Sequence, residues 1–404
     1  MRSEIQDLNL KQDFSWYAAS DHTLNFGANV ISHTILPGEI SMNEMNEGFI
    51  APDNISRRKA LEWAAYVSNE QRLNHRLRLN YGLRLALFSN IGPGEFYEFD
   101  TGGKLVETMN AGRYEFFKTQ GGIEPRVAVN YLLNEQSSLK ASYNRIHQFL
   151  HLLSNTTTTT PTDLWLPSSN NVKPQIANQV SLGYFQNFKD NTYEFSLETY
   201  YKALKNQIDY KNGADLIFNS TVESELVFGR GWAYGAEMMI QRNMGRLNGW
   251  IGYTWSKTMR QFDKINGGNP FPARHDRTHD VSVVAMYDVA KKLKLSATWV
   301  FYTGNAVTFP GGRYEIEGKT IAYYTERNGY RMPDYHRLDL GLVWQRKKTD
   351  KFESSWNFSV YNAYARENAY FINFRTKEDN PSETEAVQVS LFKAIPSVSY
   401  RFRF

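Results

Sequence analysis

The stretch Arg76 to Phe88 reads RLRLNYGLRLALF, and it alternates between apolar and polar side chains along almost its whole length. Its odd positions carry only leucine or tyrosine, whereas its even positions before Phe88 carry arginine, asparagine, glycine or alanine. Successive side chains of a β-strand point to opposite faces. The pattern therefore predicts a strand with one apolar face and one polar face.

The same alternation recurs along the chain, in residues 24–30, 193–202, 293–301 and 337–344. Strands of soluble proteins average about 5 to 6 residues, whereas a tilted strand that crosses a membrane needs about 9 to 11. Most of the alternating runs reach the longer figure. Aromatic residues near their ends are typical of interfacial girdles, and these are Trp16, Trp63, Tyr81, Trp255, Trp299 and Trp344.

The connections between the predicted strands alternate in length. Short polar turns fall near residues 20–22, 72–75, 135–138, 189–191, 243–246, 290–292 and 347–351. Long connections fall at 37–57, 90–122, 154–174, 207–231, 263–277, 309–333 and 366–385. Tight periplasmic turns and large extracellular loops are typical of outer-membrane barrels. We therefore predict an all-β, antiparallel transmembrane β-barrel with about fifteen strands.

The composition excludes several other classes of protein. The 404 residues contain no cysteine, which removes disulfide frameworks, thiolate zinc sites and cysteine nucleophiles. The 46 Lys and Arg are scattered among 42 Asp and Glu, so no basic patch indicates a nucleic-acid partner. The mean hydropathy is −0.54, and no apolar run approaches the 18 residues or so of a transmembrane helix.

The first twenty residues carry charges at Arg2, Glu4, Asp7, Lys11 and Asp13, with no apolar stretch between them. We therefore expect no secretory signal peptide in this segment. Single-chain bacterial barrels have an even number of strands, so an odd count also favours a piece of a longer barrel.

The C-terminal strand places apolar or aromatic residues at every second position up to a terminal phenylalanine. These residues are Val398, Tyr400, Phe402 and Phe404. The pattern resembles the signal that the barrel-assembly machinery reads. The simpler interpretation is a terminal amphipathic strand, and a terminal Phe in this register favours the signal.

Further segments resemble TonB-dependent outer-membrane receptors, particularly those of Bacteroidetes. They are EPRVAVNY at 124–131, KPQIANQ at 173–179, GWAYGAE at 231–237, RHDRTHD at 274–280 and YNAYAREN at 361–368. Each is weak alone, but their order along one chain is specific. The resemblance covers residues 1–404 as the C-terminal portion of a receptor barrel, with the plug domain and signal peptide absent.

This resemblance implies a barrel of about 22 strands and import of a scarce nutrient with energy from the TonB complex. The implied substrates are siderophores, cobalamin, glycans or peptides. The implied location is the Gram-negative outer membrane. The implied partners are outer-membrane lipid, TonB through an N-terminal plug region, the barrel-assembly machinery through the last strand, and a surface lipoprotein.

Two groups of polar residues could suggest chemistry. The first group is His275, Asp276, His279 and Asp280, but strand residues four apart are separated by about 13 Å, so we expect no shared metal. The carboxylates Glu194 and Glu198 lie on one strand face, and nothing beside them orients a nucleophile. No P-loop, nucleotide fingerprint or zinc-protease motif is present. We predict no enzymatic activity and no cofactor.

The long connections are where we expect ligand binding. Aromatic residues that could form stacking platforms occur in three of them: Phe96, Tyr97 and Phe99; Trp165, beyond a threonine run at 156–160; and Tyr323, Tyr324 and Tyr330. The simpler interpretation is that these rings pack loops together over the barrel mouth.

Three other interpretations fit the same alternation. A passive porin or channel would have no plug, and a surface adhesin or structural β-protein would bind host or matrix material through the long loops. A soluble sandwich or β-solenoid would also alternate, but strand length and turn asymmetry disfavour it, and the sequence shows no fixed-period repeat.

Overall fold

A computed structural model describes residues 2–39, 57–100, 102–153, 164–214, 219, 221–316, 319–349, 351–377, 379–380 and 383–404. The described residues form β1 (Arg2–Ala19), β2 (His22–Glu39), β3 (Arg58–Arg72), β4 (Leu77–Ile91), β5 (Gly94–Phe99), β6 (Leu105–Ala111), β7 (Phe116–Asn134), β8 (Ser137–Gln148), β9 (Leu150–Leu153), β10 (Leu164–Pro167), β11 (Gln175–Phe188), β12 (Tyr193–Tyr210), β13 (Leu226–Arg242), β14 (Leu247–Gln261), β15 (Phe271–Pro272), β16 (His279–Ala290), β17 (Leu293–Tyr302), β18 (Ala306–Val307), β19 (Gly312–Ile316), β20 (Lys319–Tyr323), β21 (Tyr330–Arg331), β22 (Tyr335–Lys348), β23 (Glu353–Tyr361), β24 (Phe371–Thr376), β25 (Thr384–Val389) and β26 (Ile395–Arg403). Two short 3-10 helices are η1 (Val222–Glu225) and η2 (Asn266–Gly268).

One large antiparallel sheet dominates the structure. Its strand order is β1-β2-β3-β4-β7-β8-β11-β12-β13-β14-β16-β17-β22-β23-β26, and the short β15 pairs with β14 outside this path. Fifteen strands in sequential order confirm the predicted strand number and the up-and-down connectivity. No helix in the described part of the chain is long and apolar enough to cross a membrane.

Connections at the two ends of the sheet differ in length as predicted. At one end the strands are joined by turns of two to four residues, such as 20–21, 135–136 and 291–292. The other end carries the long connections, several of which contain small sheets of their own: β5–β6, β9–β10, β18–β21, β19–β20 and β24–β25. Strands such as β12 extend further into these connections than the sequence predicts, because they continue past the membrane-crossing segment.

The register places apolar side chains on one face of the sheet. Leu85 lies opposite Ala65 on β3 and Ile123 on β7, and Leu85 and Ile123 are 44% and 57% exposed. Val180 and Tyr201 pair in the same way on β11 and β12. An apolar face that stays exposed over so many strands is what a lipid-facing barrel surface requires.

Aromatic residues form two belts on this apolar face. The register places Trp16, Leu24, Asn69 and Tyr81 at one level near the short turns. Trp344 lies near the same end, whereas Trp63, Trp255 and Trp299 lie nearer the long connections. The six residues therefore form the two interfacial girdles that the sequence predicted.

Buried apolar clusters lie at the long-connection end. The largest cluster joins the β9–β10 hairpin to the ends of β12 and β13, and its members are Leu153, Leu164, Leu166, Val172, Ile208, Tyr210, Val222 and Leu226. A second cluster packs Phe149 and Phe88 against Ala60 and Ala86 on the polar face of β3 and β4. The hairpin thus packs against the inner wall of the sheet.

Candidate functional site

Two tyrosines form a stack at the long-connection end of β17 and β22. Tyr302 and Tyr335 are direct cross-strand partners, and their ring centroids lie 4.5 Å apart at an interplanar angle of 2°. The guanidinium carbon of Arg277, in the connection before β16, lies 3.9 Å from the centroid of the Tyr302 ring. These three side chains form a layered cation–aromatic stack.

A second arginine fixes the position of this stack. The Nη1 group of Arg337 donates to the hydroxyl of Tyr335 at 3.0 Å and to that of Tyr361 at 2.8 Å. Its charge is paired with Asp339 at 2.9 Å. Because Arg337 donates to both phenol oxygens, it holds the Tyr335 ring at a defined distance from the Tyr361 ring.

The strand register shows on which face of the sheet the stack lies. Tyr302, Tyr335 and Tyr361 occupy positions that alternate with apolar-face residues of β17, β22 and β23. Their side chains therefore project from the polar face, which is the lumenal face of a barrel.

A cavity of about 320 Å³ lies between this stack and the loops above it. Its apolar lining comes from Met332, Pro333, Tyr370, Leu391 and Phe392. The last three side chains are exposed in the structure. Ring faces, the guanidinium group of Arg277 and exposed apolar side chains in one concave surface suit a ligand with a flat or ring-shaped body and polar substituents.

The segment after the β9–β10 hairpin is fixed to the inner wall. The side-chain amides of Asn90 and Gln120 donate to the carbonyls of Ser168 and Ser169 at 2.9 Å and 2.5 Å. Glu223 accepts from the hydroxyl of Ser169 at 2.9 Å. These bonds hold residues 168–172 across the upper part of β4 and β7.

An ion pair closes this arrangement. Arg58, the first residue of β3, contacts the carboxylate of Glu223 in η1, and both side chains are nearly buried. Asn171 donates to the same carboxylate at 2.7 Å. A buried carboxylate with this many donors is well compensated for the loss of water.

His151 lies at the centre of the hairpin's contact with the wall. Its Nδ1 accepts from the amide of Gln175 at 3.2 Å, so Nε2 carries the proton and lies 3.1 Å from the hydroxyl of Ser168. Burial lowers the pKa of His151 to about 4. The imidazole is therefore neutral at physiological pH, as the hydrogen bond that Nδ1 accepts requires.

The predicted loop aromatics occupy several places. Phe96 is buried and stacks on Phe117 with ring centroids 4.0 Å apart. The carbonyl of Tyr97 accepts from the side chains of Asn170 and Asn171, and the Tyr97 and Phe99 rings are 6.3 Å apart. The first predicted group therefore adjoins the segment that follows the β9–β10 hairpin.

The other predicted aromatics lie elsewhere. Trp165 is half-buried on β10, and the threonine run at 156–160 lies outside the described residues. Tyr323, Tyr324 and Tyr330 are exposed, and Tyr330 packs near Phe309 at 5.8 Å. Among the described residues, no ring contact joins the three predicted groups into one platform. Their role in binding stays a prediction.

Sequence reasoning did not single out the Arg277–Tyr302–Tyr335 stack. Its members are separated by 25 and 33 positions in the chain, so only the pairing of β17 with β22 brings them together. The available signal was weak: Arg277 lies inside the quoted RHDRTHD segment, and both tyrosines lie at the ends of alternating runs.

The residues considered for a metal have other partners. Asp276 is buried, pairs with Arg331 and accepts from the backbone of Thr258 at 2.5 Å. His279 lies 2.9 Å from the hydroxyl of Tyr253. Burial, together with the nearby Arg260, lowers the pKa of His275. The described residues contain no group of three or more side chains placed to hold a metal.

The two strand carboxylates have different neighbours on the polar face. Glu194 accepts from the side chain of Asn243 at 2.7 Å, and Glu198 lies opposite Gly183 on β11. Glu194 thus caps a short turn, while Glu198 belongs to the polar face.

The chain matches the model of a known protein family. The family model described as TonB dependent receptor-like, beta-barrel, matches residues 3–363. The chain belongs to the TonB-dependent receptor family. It is therefore part of a transmembrane β-barrel of the Gram-negative outer membrane, in a family of transport receptors rather than enzymes.

Solved structures of TonB-dependent receptors share the fold. The ferric-catecholate import receptor Fiu of E. coli K12 is 12% identical, with a TM-score of 0.61 over 99% of this chain and 55% of that one. The FrpB iron transporter of Neisseria meningitidis is 13% identical, with a TM-score of 0.61 over 98% and 55%. The copper transporter OprC is 12% identical, with a TM-score of 0.59 over 98% and 56%.

The chain spans about half the length of these receptors. At such low identities, the likeness shows the fold and carries no information on the ligand. A comparison with curated protein sequences finds no match.

Proposed function

We propose that this chain supplies barrel strands and a ligand-contacting surface to an outer-membrane receptor that imports a scarce nutrient with TonB-derived energy. The observation that carries the proposal is the Arg277–Tyr302–Tyr335 stack, which faces the lumen at the long-connection end of a TonB-receptor sheet. That end faces the cell exterior in outer-membrane barrels, so a ligand would meet the stack on entry.

The chemistry of the stack narrows the kind of ligand. Arg277 and Tyr335 cover the faces of Tyr302, so the other face of Tyr335 would bind a flat ring or the apolar face of a sugar, while the guanidinium of Arg277 favours anionic or acceptor-rich groups. A ring-containing ligand with oxygen acceptors, such as a siderophore or a glycan, fits this combination.

The remaining parts of the proposal concern the whole receptor. Residues 1–404 would form the C-terminal portion of its barrel, which is consistent with coverage of about 55% of Fiu and FrpB. The TonB complex would act through a plug region, and the barrel-assembly machinery through β26. A surface lipoprotein would assist at the mouth.

The test is uptake by the source cell when the nutrient is limiting. Replacing both Tyr302 and Tyr335 with Ala should lower uptake at low nutrient concentration by about tenfold or more, because each stacking contact contributes about 0.5–1.5 kcal/mol. Tyr314→Ala, on the exposed β19–β20 hairpin and outside the lining of the cavity, is the matched control and should leave uptake unchanged. Equal uptake by the double variant and the control would contradict the role of the stack.

Energy dependence separates this proposal from a passive porin. Uptake should stop when a protonophore dissipates the inner-membrane potential or when TonB is deleted. Uptake that continues at the same rate under either treatment, together with steady conductance in planar bilayers, would assign the chain to a passive channel.

A further inference from the structure

Three cations lie against aromatic rings on the apolar face of the sheet, near the short turns. The guanidinium carbon of Arg242, the last residue of β13, lies 5.5 Å from the centroid of the Tyr193 ring, and the Nζ of Lys189 lies 5.7 Å from the same centroid. The guanidinium carbon of Arg246, in the β13–β14 turn, lies 5.5 Å from the centroid of the Tyr287 ring. We call Lys189, Arg242 and Arg246 the interfacial cations.

The strand register places the two rings on the lipid-facing side of the sheet. Tyr193 is the cross-strand partner of Phe188, and Tyr287 is that of Leu247 and Leu295. Phe188, Leu247 and Leu295 are exposed apolar residues. Because cross-strand partners lie on the same face, both rings belong to the apolar face, at its short-turn edge. In an outer-membrane barrel this edge lies at the periplasmic leaflet.

Backbone carbonyls hold the two guanidinium groups in place. The Nε of Arg242 donates to the carbonyl of Met244 at 3.1 Å. The Nε of Arg246 donates to the carbonyl of Asp288 at 2.9 Å, and its Nη2 donates to that of Val289. Within the described residues, Nη1 of Arg246 and both terminal nitrogens of Arg242 make no hydrogen bond. These fixed groups therefore keep donors for an acceptor from outside the chain.

No acidic side chain compensates the interfacial cations. In the part of the chain that the structure describes, none of the three makes an ion pair, and neither does the neighbouring Asp190. The carboxylate of Asp288 pairs instead with Lys294 at 3.3 Å. A ring face attracts a cation but carries no net charge, so the positive charge remains.

This excess of positive charge is confined to one part of the short-turn edge. The turns 189–192, 243–246 and 291–292 read KDNT, NMGR and KK, with four cations and one acid. The other turns at this edge, 20–21, 73–76, 135–136 and 349–352, carry two cations and three acids. Arg72 and Arg78 are cross-strand partners on the polar face, and among the described residues they contact no ring.

Exposed apolar side chains lie beside the interfacial cations on the same face. Ile240 precedes Arg242 by one turn of the alternation, while Phe188 and Leu247 flank the two rings. A small soluble anion would use the cations and leave this apolar surface unmatched. A ligand that matches both must carry a negative charge at one end and apolar chains at the other.

We propose that the interfacial cations bind the phosphate of an anionic phospholipid in the periplasmic leaflet of the outer membrane. The phosphate accepts from the free guanidinium donors of Arg242 and Arg246, and Lys189 adds a third positive charge. The acyl chains lie along Phe188, Ile240 and Leu247. The inference uses the outer-membrane location of the chain and does not depend on the imported nutrient.

The experiment is native mass spectrometry of the full chain in a neutral detergent, titrated with phosphatidylglycerol. Phosphatidylcholine with the same acyl chains is the control lipid, because its headgroup has no net charge. A cation near an anionic lipid changes the affinity about fivefold. We therefore expect the first phosphatidylglycerol to bind at least about tenfold more tightly than phosphatidylcholine.

Charge variants locate the binding. Arg242→Gln with Arg246→Gln should raise the Kd for phosphatidylglycerol about tenfold or more. These arginines also bind turn carbonyls, so Lys189→Gln provides a second variant that removes no hydrogen bond seen among the described residues, and it should raise the Kd about fivefold. The matched control, Arg76→Gln with Lys351→Gln, removes two charges from other turns at this edge and should leave the Kd unchanged.

Several outcomes would overturn the proposal. They are equal affinity for the two lipids, an equal loss in the arginine variant and in the control, or an unchanged Kd in Lys189→Gln. Displacement of the lipid by excess inorganic phosphate would also overturn it, because the cations would then form a site for a free anion. None of these outcomes bears on nutrient import, which the stack variants test separately.

Discussion

The Arg58–Glu223 ion pair joins the first residue of β3 to η1, and its two side chains are only 11% and 5% exposed. Removing one partner of a buried pair leaves an uncompensated charge and commonly costs about 3–5 kcal/mol. We therefore expect Glu223→Gln to loosen residues 168–172, because Ser169 and Asn171 also bind this carboxylate. Hydrogen exchange should show faster exchange of the amides in that segment.

An exposed pair provides the control for this prediction. Lys377 and Glu383 lie 3.0 Å apart, but their side chains are 41% and 55% exposed. Surface pairs contribute about 0–1 kcal/mol, so Glu383→Gln should change local exchange little. Unchanged exchange at residues 168–172 in Glu223→Gln would show that the apolar cluster alone holds the segment.

His151 should make the β9–β10 hairpin sensitive to acid. Its pKa in the folded chain is about 4, below the usual value of 6.5, so the unfolded chain binds more protons between these values. The stabilisation is complete above pH 6.5 and is lost as the pH falls toward 4. At pH 5.5 the loss is roughly 1 kcal/mol.

Limited proteolysis or hydrogen exchange at pH 7.5 and pH 5.5 measures this effect. Opening of the hairpin should increase at the lower pH in the native chain. In the variant His151→Gln, a neutral amide that does not titrate replaces the imidazole. Opening of the β9–β10 hairpin in this variant should therefore depend less on pH. An identical pH dependence in both proteins would assign the effect to another group.

At the scale of an element, strand β4 allows a matched test of its two faces. Leu85 lies on the apolar face, whereas Asn80 lies on the polar face opposite Glu70. An arginine on the lipid face near the bilayer midplane costs roughly 2–4 kcal/mol. We expect Leu85→Arg to lower the free energy of unfolding, measured by urea titration in vesicles, by that amount. Asn80→Arg should change this free energy little. Equal effects would mean that the face is assigned wrongly.

Strand β26 carries the predicted assembly signal. Val398, Tyr400 and Phe402 lie on the apolar face, and the Phe402 and Phe404 rings stack with centroids 6.0 Å apart. Phe404 is 92% exposed, so it contributes little to folding stability within this chain. Phe404→Ser should therefore reduce the fraction assembled in the outer membrane while leaving in vitro folding nearly unchanged.

Gel migration of unheated samples separates assembled from unassembled barrel. Tyr314→Ser, which removes an exposed loop aromatic, is the control and should assemble normally. Normal assembly of Phe404→Ser would indicate that the last strand is only an amphipathic edge.

For the whole molecule, the apolar band decides solubility. Residues such as Leu182, Ile251, Leu340 and Val398 stay exposed on the outer face of β11, β14, β22 and β26. A band of this kind, about 25 Å tall in outer-membrane barrels, cannot remain in water without association. We expect the chain to need detergent or lipid, as size-exclusion chromatography would show. A monodisperse species in plain buffer would contradict the membrane assignment.

Sequence patterns predicted the sheet well and the site poorly. Alternation of apolar and polar residues is a local pattern, so residues 76–88 alone indicate both the strand and its two faces. The length of each connection follows from the number of residues between two such patterns. The small sheets within the long connections were missed, because strands as short as Leu150–Leu153 carry too few residues for a period to show.

What the sequence by itself determined is the strand number, the apolar face, the two aromatic belts and the membrane class, since each depends on neighbours along the chain. Only the tertiary structure decided that the β9–β10 hairpin packs on the inner wall and that Tyr302 meets Tyr335. The physical reason is that these contacts depend on strand pairing and loop packing between distant residues, which no local period encodes.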